Sequence, residues 1–294
     1  MDLDEFQREA NRTDQRPGEG EGALLFPVIG LASEIGTLVG HVKKRLRDGD
    51  AHELFAEEMA EELGDVLWYV ANLATKLNFD LSEIARRNVG KVRGRWPVEG
   101  DPLPLPLPDA AFPLGEQLPR QTSVRFEEER DGQRAVVRLF AADGTQLGDR
   151  LTDNAYEDDG YRFHDVFHLT YAAMLSWSPV SRYFFGVKRN SDPRVREVED
   201  GGRATVIEEG IAAFVFDYAR HERFLEGVEH VDFSLLTAIR RLVSRLEVRE
   251  RTAHEWELAI VTSYDVWRAL RDHAGGTVHL DLLARRIDFE APAG

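Results

Sequence analysis

The chain has 294 residues, which is enough for one or two domains with a sizeable core in each. It contains no cysteine, so disulfides, thiolate metal sites and a cysteine nucleophile are excluded. Its 53 acidic residues against 37 lysines and arginines give a formal net charge of −16, which argues against a general binding surface for duplex nucleic acid. The acidic N-terminus does not resemble a signal peptide, and no apolar run approaches the roughly 18 residues of a membrane helix. We therefore expect a cytoplasmic protein without a membrane partner.

The first hundred residues have the spacing of four helices. Apolar residues at helical intervals predict helices at about 3–12, 25–47, 53–77 and 80–95, with a glycine-rich break at 18–22. Asn78 is expected to end the third helix, and the spacing from Asp80 to Glu83 is that of a capping box that begins the fourth. Residues 1–97 are therefore expected to form an all-α domain.

A proline-rich segment follows. Seven of the 12 prolines lie between positions 97 and 119, and proline alternates with leucine from Pro102 to Pro108. This alternation excludes helix and favours an extended path. We interpret residues 98–120 as a linker between two domains.

Residues 121–294 have a different pattern. Strand-like segments at 123–127 and 134–140 are joined across Asp131 and Gly132, and helical spacing returns near Phe163 and continues, with breaks, to the end. The predicted fold class is mainly α: a helical bundle at the N-terminus, and a mainly helical C-terminal domain that carries a small β ribbon.

Two acidic pieces in the first domain have the spacing of a metal site. Glu62 and Asp65 are three residues apart and share a helix face, and Glu34 lies on the preceding helix. Hard oxygen ligands of this kind suit Mg²⁺ or Mn²⁺, which also take phosphate oxygens. The alternative is that Glu57, Glu58, Glu61 and Glu62 form an ordinary solvated helix face. Because Asp65 begins a strongly apolar stretch at 65–70, partial burial and hence a partner or a metal are expected.

These residues resemble a known family. Residues 1–97 are similar to the MazG-like, all-α nucleoside triphosphate pyrophosphohydrolases, on the segments GLASEIG at 30–36 and EELGDVLWY at 61–69, and on Asn88, Lys91 and Arg95 before Trp96. The resemblance implies cleavage of a nucleoside triphosphate between its α and β phosphates, giving monophosphate and pyrophosphate. It also implies that Asn88, Lys91 and Arg95 contact phosphate or sugar, although the two cations also fit a basic helix end that faces its dipole.

The resemblance implies metal ligands in an E-x-x-E pair and an E-x-x-D pair. Glu34, Glu62 and Asp65 match these positions, whereas Thr37 stands where the family has an acid. Three readings follow: Glu58 or Glu61 supplies the missing charge, the site holds fewer metals, or the site is catalytically weak. Glu58 and Glu61 are also the candidate residues for activating the attacking water.

The first domain is also expected to pair with a second copy. Four short helices bury a limited core by themselves. The resemblance points the same way, because sites in this family form where subunits meet. We expect a homodimer or a higher homo-oligomer.

The second domain contains another constellation of metal-ligating residue types. His164 and His168 are four residues apart on one predicted helix face, next to Asp165, and Glu208 and Glu209 begin a later apolar helix. Polar residues at 188–193 and 201–203 could bind an anion. There are two hypotheses for the histidines and acids of this domain. One is a second metal site built from His164, Asp165, His168, Glu208 and Glu209, and the other is a hydrogen-bonded polar layer between helices. The second half also resembles the C-terminal extension of some bacterial MazG-like proteins.

The leading hypothesis from the sequence is Mg²⁺-dependent hydrolysis of a nucleoside triphosphate to monophosphate and pyrophosphate. The first alternative is a nucleotide-binding or regulatory module that lost catalysis with the acid expected at position 37. The second is catalysis by the histidine-containing site of the C-terminal domain.

Overall fold

The computed structural model describes residues 1–18, 20–96, 107–132 and 134–292. The chain forms two compact units, Met1–Arg93 and Gly94–Gly294. Most of the predicted extended proline–leucine path, up to residue 106, lies outside the described residues. Residues 107–120 belong to the second unit, where Leu118 is buried in the core and the Asp109 carboxylate lies 2.8 Å from the Arg182 guanidinium.

The first unit contains four helices, as predicted: α1 Leu3–Arg12, α2 Glu21–Asp48, α3 Phe55–Lys76 and α4 Leu81–Arg93. Local chemistry explains their ends. The Asp2 side chain accepts a hydrogen bond from the Glu5 amide and caps α1. Asn78 has a left-handed backbone with φ of 56°, which stops the chain from continuing α3. The Gln7 side chain connects α1 to the start of α4 by accepting a hydrogen bond from the Leu81 amide at 2.8 Å.

Helices α2 and α3 form an antiparallel pair, because Gly30 contacts Tyr69 near one end of the pair and His41 contacts Glu58 near the other. The buried core of this unit is small. Its cluster comprises Ala10, Ala71 and Leu81, with the partly buried Phe6, Trp68 and Val70 packed against it. Within the 28 residues of α2, Pro27 and His41 are the buried ones. The unit therefore leaves much apolar side-chain surface uncovered, and α2 carries more of it than any other helix of the unit.

The region Glu21–Ala51 is long and apolar enough to cross a membrane, judged by length and composition alone. The expectation that no apolar stretch approaches this length is wrong here, because a few polar residues interrupt the run without lowering its average much. The region Glu21–Ala51 is weak evidence for insertion into a membrane, because it lies near the N-terminus and contains the carboxylate of Glu34. Packing of α2 against α3 places Glu34 and His41 on the face shared with α3, as expected for a helix of a bundle.

The second unit contains a five-stranded antiparallel sheet with the order β3-β2-β1-β4-β5. The strands are β1 Gln121–Asp131, β2 Arg134–Ala141, β3 Gln146–Leu151, β4 Gly275–Asp281 and β5 Arg286–Glu290. The predicted pair at 123–127 and 134–140 is confirmed as β1 and β2. The prediction that helix continues to the end of the chain is wrong, because β4 and β5 follow the last helix, and β4 pairs with β1 in a register that places Ser123 opposite His279.

The described residues of this unit also form six α-helices, of which α5 and α10 pack on the sheet: α5 Asp165–Leu175, α6 Pro179–Phe184, α7 Pro193–Val198, α8 Gly202–His221, α9 Phe233–Leu242 and α10 Ala253–Asp272. Helix α5 is the central one, and ten of its eleven residues are buried. It packs mainly against α10, where Tyr264 stacks on Phe167 with ring centroids 4.9 Å apart. Because α5 is buried on every side, the polar residues at its start are held in the interior and need partners there.

Candidate functional site

Three acids from two helices of the first unit meet in one place. Glu34 on α2 and Glu62 and Asp65 on α3 each offer a carboxylate oxygen, and these oxygens all lie within 4.8 Å of one another. The helical interval places Glu62 and Asp65 on one face of α3, and the antiparallel pairing of α2 and α3 places Glu34 opposite them. We call these three residues the carboxylate group.

The electrostatics of the carboxylate group favour a bound cation. Partial burial, together with the charges of Glu62 and Asp65, raises the pKa of Glu34 above its ordinary value. Carboxylates brought this close repel one another when ionised. A divalent cation would remove that repulsion, and three oxygen ligands with room for water and phosphate oxygens fit Mg²⁺ or Mn²⁺.

Thr37 does not contribute to this group. Its side chain is exposed, and its hydroxyl donates a hydrogen bond to the Ser33 carbonyl of its own helix at 3.3 Å. Glu61 is also exposed, and the metal-compatible groups found among the described residues do not include it. Neither Thr37 nor Glu61 therefore adds a ligand oxygen to the carboxylate group.

Two histidines that were not predicted as site residues lie beside the carboxylate group. His41 Nδ1 lies 2.6 Å from Glu58 Oε2, and His52 Nε2 lies 2.7 Å from the same oxygen. His41 Nε2 also lies 3.6 Å from Glu62 Oε1, so His41 links Glu58 to the carboxylate group. The hydrogen bond from His52 lowers the pKa of Glu58 despite some desolvation, and His41 acts in the same direction. The interval of seven residues from Glu34 to His41, two helical turns, was the signal in the sequence.

The three residues predicted to contact phosphate do not form one set. Asn88 and Lys91 are exposed on α4. The helix predicted at about 80–95 stops before Arg95, because α4 ends at Arg93. Arg95 is instead buried in the second unit, where its guanidinium lies 3.0 Å from Glu257 and donates a hydrogen bond to the Val231 carbonyl at 2.9 Å. The charge of Arg95 is therefore paired within that unit.

The structure brings together all five residues predicted to form a second site. His168 is fully buried, with Nδ1 at 3.0 Å from Glu208 and Nε2 at 3.3 Å from Glu209. Asp165 lies 3.3 Å from His164 Nε2. Burial alone would lower the pKa of His168, but the charge and hydrogen bond of Glu208, supported by Glu209, outweigh it and raise the pKa to about 10. Burial raises the pKa of Asp165.

Comparison with known proteins agrees with this two-part organisation. The model described as MazG C-terminal domain matches residues 104–293, which is more than half of the chain. This chain belongs to the MazG family. The model described as MazG nucleotide pyrophosphohydrolase domain matches residues 28–98, the segment that carries the carboxylate group. MazG domains of this kind are nucleotide pyrophosphohydrolases that normally use divalent metals.

A curated relative supports the N-terminal assignment. The chain is 38% identical to the Gene 37 protein of Mycobacterium phage L5 over 101 residues, which is 32% of this chain and 89% of that protein. No solved structure matches the chain. The MazG-like resemblance and the mainly α fold expected from the sequence are thus confirmed.

Proposed function

We propose that this MazG-family chain hydrolyses a nucleoside triphosphate, or a related nucleotide, to the monophosphate and pyrophosphate with Mg²⁺ or Mn²⁺. The observation that carries the proposal is the carboxylate group, three acids within ligand distance of one another inside the segment that matches the pyrophosphohydrolase domain. The reaction would take place in the cytoplasm, where its nucleotide substrates are present.

Glu34, Glu62 and Asp65 would hold the cation. When bound, the cation would offset phosphate charge and lower the pKa of a coordinated water. Glu58 is the better placed of the two candidate bases, because His41 connects it to Glu62 and because the two histidines keep it ionised. Glu61 remains the other candidate.

The phosphate side of the site would use residues of α4. Asn88 and Lys91 are exposed and lie one helical turn apart, so an amide and an ammonium can be offered to the same ligand. Arg95 is left out of this set because its charge is already paired with Glu257.

A second copy of the chain is the proposed partner of the first unit. On α2, seven large apolar side chains are exposed although the helix is part of a bundle: Leu25, Val28, Ile29, Ile35, Val39, Val42 and Leu46. Burying such a face on an identical one would stabilise a unit whose own core cluster is small. The prediction is a homodimer, measured by light scattering after size exclusion. Val39→Glu should give monomers, whereas Glu57→Gln, an exposed change on α3, should not.

The activity is tested by pyrophosphate release from a panel of canonical and modified nucleoside triphosphates, with and without Mg²⁺. Asp65→Asn keeps the size of the side chain and removes its charge, so it should reduce the rate by at least about 100-fold, which corresponds to losing about 3 kcal/mol in the transition state. Glu57→Gln is the matched control on the same helix and should keep the wild-type rate. Release of pyrophosphate that does not depend on Mg²⁺ or on Asp65 would refute the assignment.

A second candidate function is nucleotide binding without turnover. It is favoured by Thr37, whose hydroxyl bonds to its own helix and adds no charge to the carboxylate group. In that case, calorimetry would show saturable binding of a triphosphate with Mg²⁺ while pyrophosphate release stays at background. Tight binding with no release across the panel would decide for this candidate.

A further inference from the structure

The second unit contains a group of three potential metal ligands that the proposed hydrolysis does not use. His164, His168 and Glu209 each offer one ligand atom, and the three atoms lie within 4.8 Å of one another. His164 directly precedes α5, His168 lies one turn further on, and Glu209 comes from α8. We call these three residues the His/Glu group.

The hydrogen bonds of the two histidines leave the same ring nitrogen available on each. His164 Nδ1 is 2.9 Å from the Tyr161 carbonyl oxygen, and His168 Nδ1 is 3.0 Å from a Glu208 carboxylate oxygen. A carbonyl and a carboxylate only accept hydrogen bonds, so each Nδ1 must carry the proton. In a neutral ring the lone pair is then on Nε2, the atom that metals bind. His168 Nε2 is buried at 3.3 Å from Glu209 and has no hydrogen bond of good geometry among the described residues, so a cation that binds there would replace its proton.

Glu208 is held rigidly behind His168. Its side chain is completely buried, and its second oxygen accepts a hydrogen bond from the Val180 amide at 2.9 Å. A buried carboxylate that accepts from the rear nitrogen of a histidine orients the ring and increases its basicity, which is the usual arrangement behind a metal-binding histidine. The Tyr161 carbonyl does the same for His164. Both rings are therefore oriented before any cation arrives.

A cavity of about 370 Å³ adjoins the His/Glu group. His164 and Glu209 line it together with two further carboxylates, Asp149 and Asp165, and one cation, Lys188. Three carboxylates against one ammonium leave the cavity with an excess of negative charge, which a divalent cation would offset. The neighbouring Arg189 does not add positive charge there, because it is paired internally with Asp200 and Glu247.

We propose that the His/Glu group binds a divalent transition-metal cation, and that a coordination position facing the cavity takes an oxyanion beside Lys188. Imidazole nitrogen with carboxylate oxygen suits Zn²⁺, Mn²⁺, Fe²⁺ and Co²⁺, whereas Mg²⁺ prefers oxygen ligands alone. The chain would thus carry two metal sites of different chemistry, one in each unit. This site does not depend on the nucleotide hydrolysis proposed for the first unit.

The first experiment measures Zn²⁺ or Co²⁺ bound per full-length chain after equilibrium dialysis. His41 and His52 form another nitrogen-containing group, and the carboxylate group can also hold a divalent cation, so all variants carry His41→Ala, His52→Ala and Asp65→Asn. In this background one equivalent should bind, and either His164→Ala or Glu209→Gln should remove it. The Glu209 side chain is 44% exposed, so its replacement leaves the core intact. His221→Ala, at an exposed position on α8, is the control and should keep the metal.

The contrary result of this experiment is also informative. If the background chain binds no metal, or if the variants bind as much as the control, the proposal is wrong. His168 would then be an imidazolium held between two glutamates. Intrinsic tryptophan fluorescence checks folding, because three buried tryptophans, Trp177, Trp256 and Trp267, belong to the core of this unit.

The second experiment tests the open coordination position with inorganic phosphate. The visible spectrum of the Co²⁺-loaded chain should change on adding phosphate. Lys188→Ala should raise the phosphate concentration needed by about tenfold, as expected for the loss of one charge-assisted hydrogen bond. A spectrum that phosphate leaves unchanged, or an equal response in Lys188→Ala, would show that the cavity does not hold the anion in this way.

Discussion

Restoring a carboxylate at position 37 should strengthen the metal site of the first unit. Thr37 is one turn after Glu34 on α2, exposed, and bonded only to the backbone of its own helix in the described structure. A glutamate there can reach towards the carboxylate group without displacing a buried side chain. Thr37→Glu is therefore a change of charge more than of packing.

The magnitude follows from the distances. Unit charges about 4 Å apart interact by about 1 kcal/mol in water and about 4 kcal/mol at an effective dielectric constant near 20. Because position 37 is exposed, the lower part of this range applies. We expect Mg²⁺ to bind more tightly by roughly 1–2 kcal/mol, which is roughly 5- to 30-fold. Without Mg²⁺, the added charge should lower stability, because it joins three carboxylates that already repel one another.

The assay is the Mg²⁺ dependence of pyrophosphate release, with Mg²⁺-dependent thermal unfolding as an independent measure. Thr37→Gln has the same length and no charge, and serves as the matched control. The reasoning is refuted if Thr37→Gln shifts the Mg²⁺ dependence as far as Thr37→Glu does. It is equally refuted if Thr37→Glu leaves the dependence unchanged in a folded protein.

Three further predictions concern stability. In the absence of metal, the raised pKa of Glu34 means that the folded chain binds the Glu34 proton more tightly than the unfolded chain does. The stability of the folded chain should therefore fall as the pH rises through that pKa. Glu34→Gln should remove this part of the pH dependence of thermal unfolding. Arg189→Met should destabilise the second unit by about 3–5 kcal/mol in urea unfolding, because it removes the nearest cation of the buried Asp200 carboxylate and leaves Arg182 at 3.5 Å as its remaining partner. A loss below about 1 kcal/mol would contradict this. Gly30→Ala should lower the free energy of unfolding by about 1–3 kcal/mol, because a Cβ at this position overlaps the Tyr69 ring. Gly90→Ala is the control: the space there is open, so the free energy of unfolding should stay the same or rise by up to about 1 kcal/mol.

The two halves of the chain use histidine and carboxylate in different ways. In the first unit, His41 and His52 pair with Glu58 and stand beside an all-oxygen group. In the second unit, histidines belong to the group itself and are oriented from behind by Glu208 and a backbone carbonyl. This difference predicts different metal preferences for the two sites, which metal analysis of the full chain can separate.

Several helices and strands could be predicted from the sequence, because the residues that determine them are close together in the chain. Helix periodicity predicted α1 to α4 within a few residues, and Asn78 marked the end of α3. The β1–β2 hairpin was readable from two strand-like segments around Asp131 and Gly132. By contrast, β4 and β5 were missed, because short strands after a long helix carry little signal and their partner β1 is far away in the chain.

The sequence alone determined that Glu62 and Asp65 share a face, and that His164 and His168 lie one turn apart, because the pitch of the α-helix sets these distances. Only the tertiary structure decided that Glu34 meets the first pair and that Glu209 meets the second. It also decided that Arg95 pairs with Glu257. The reason is that the register in which two elements pack depends on the side chains of both, and the periodicity of one element does not contain that information.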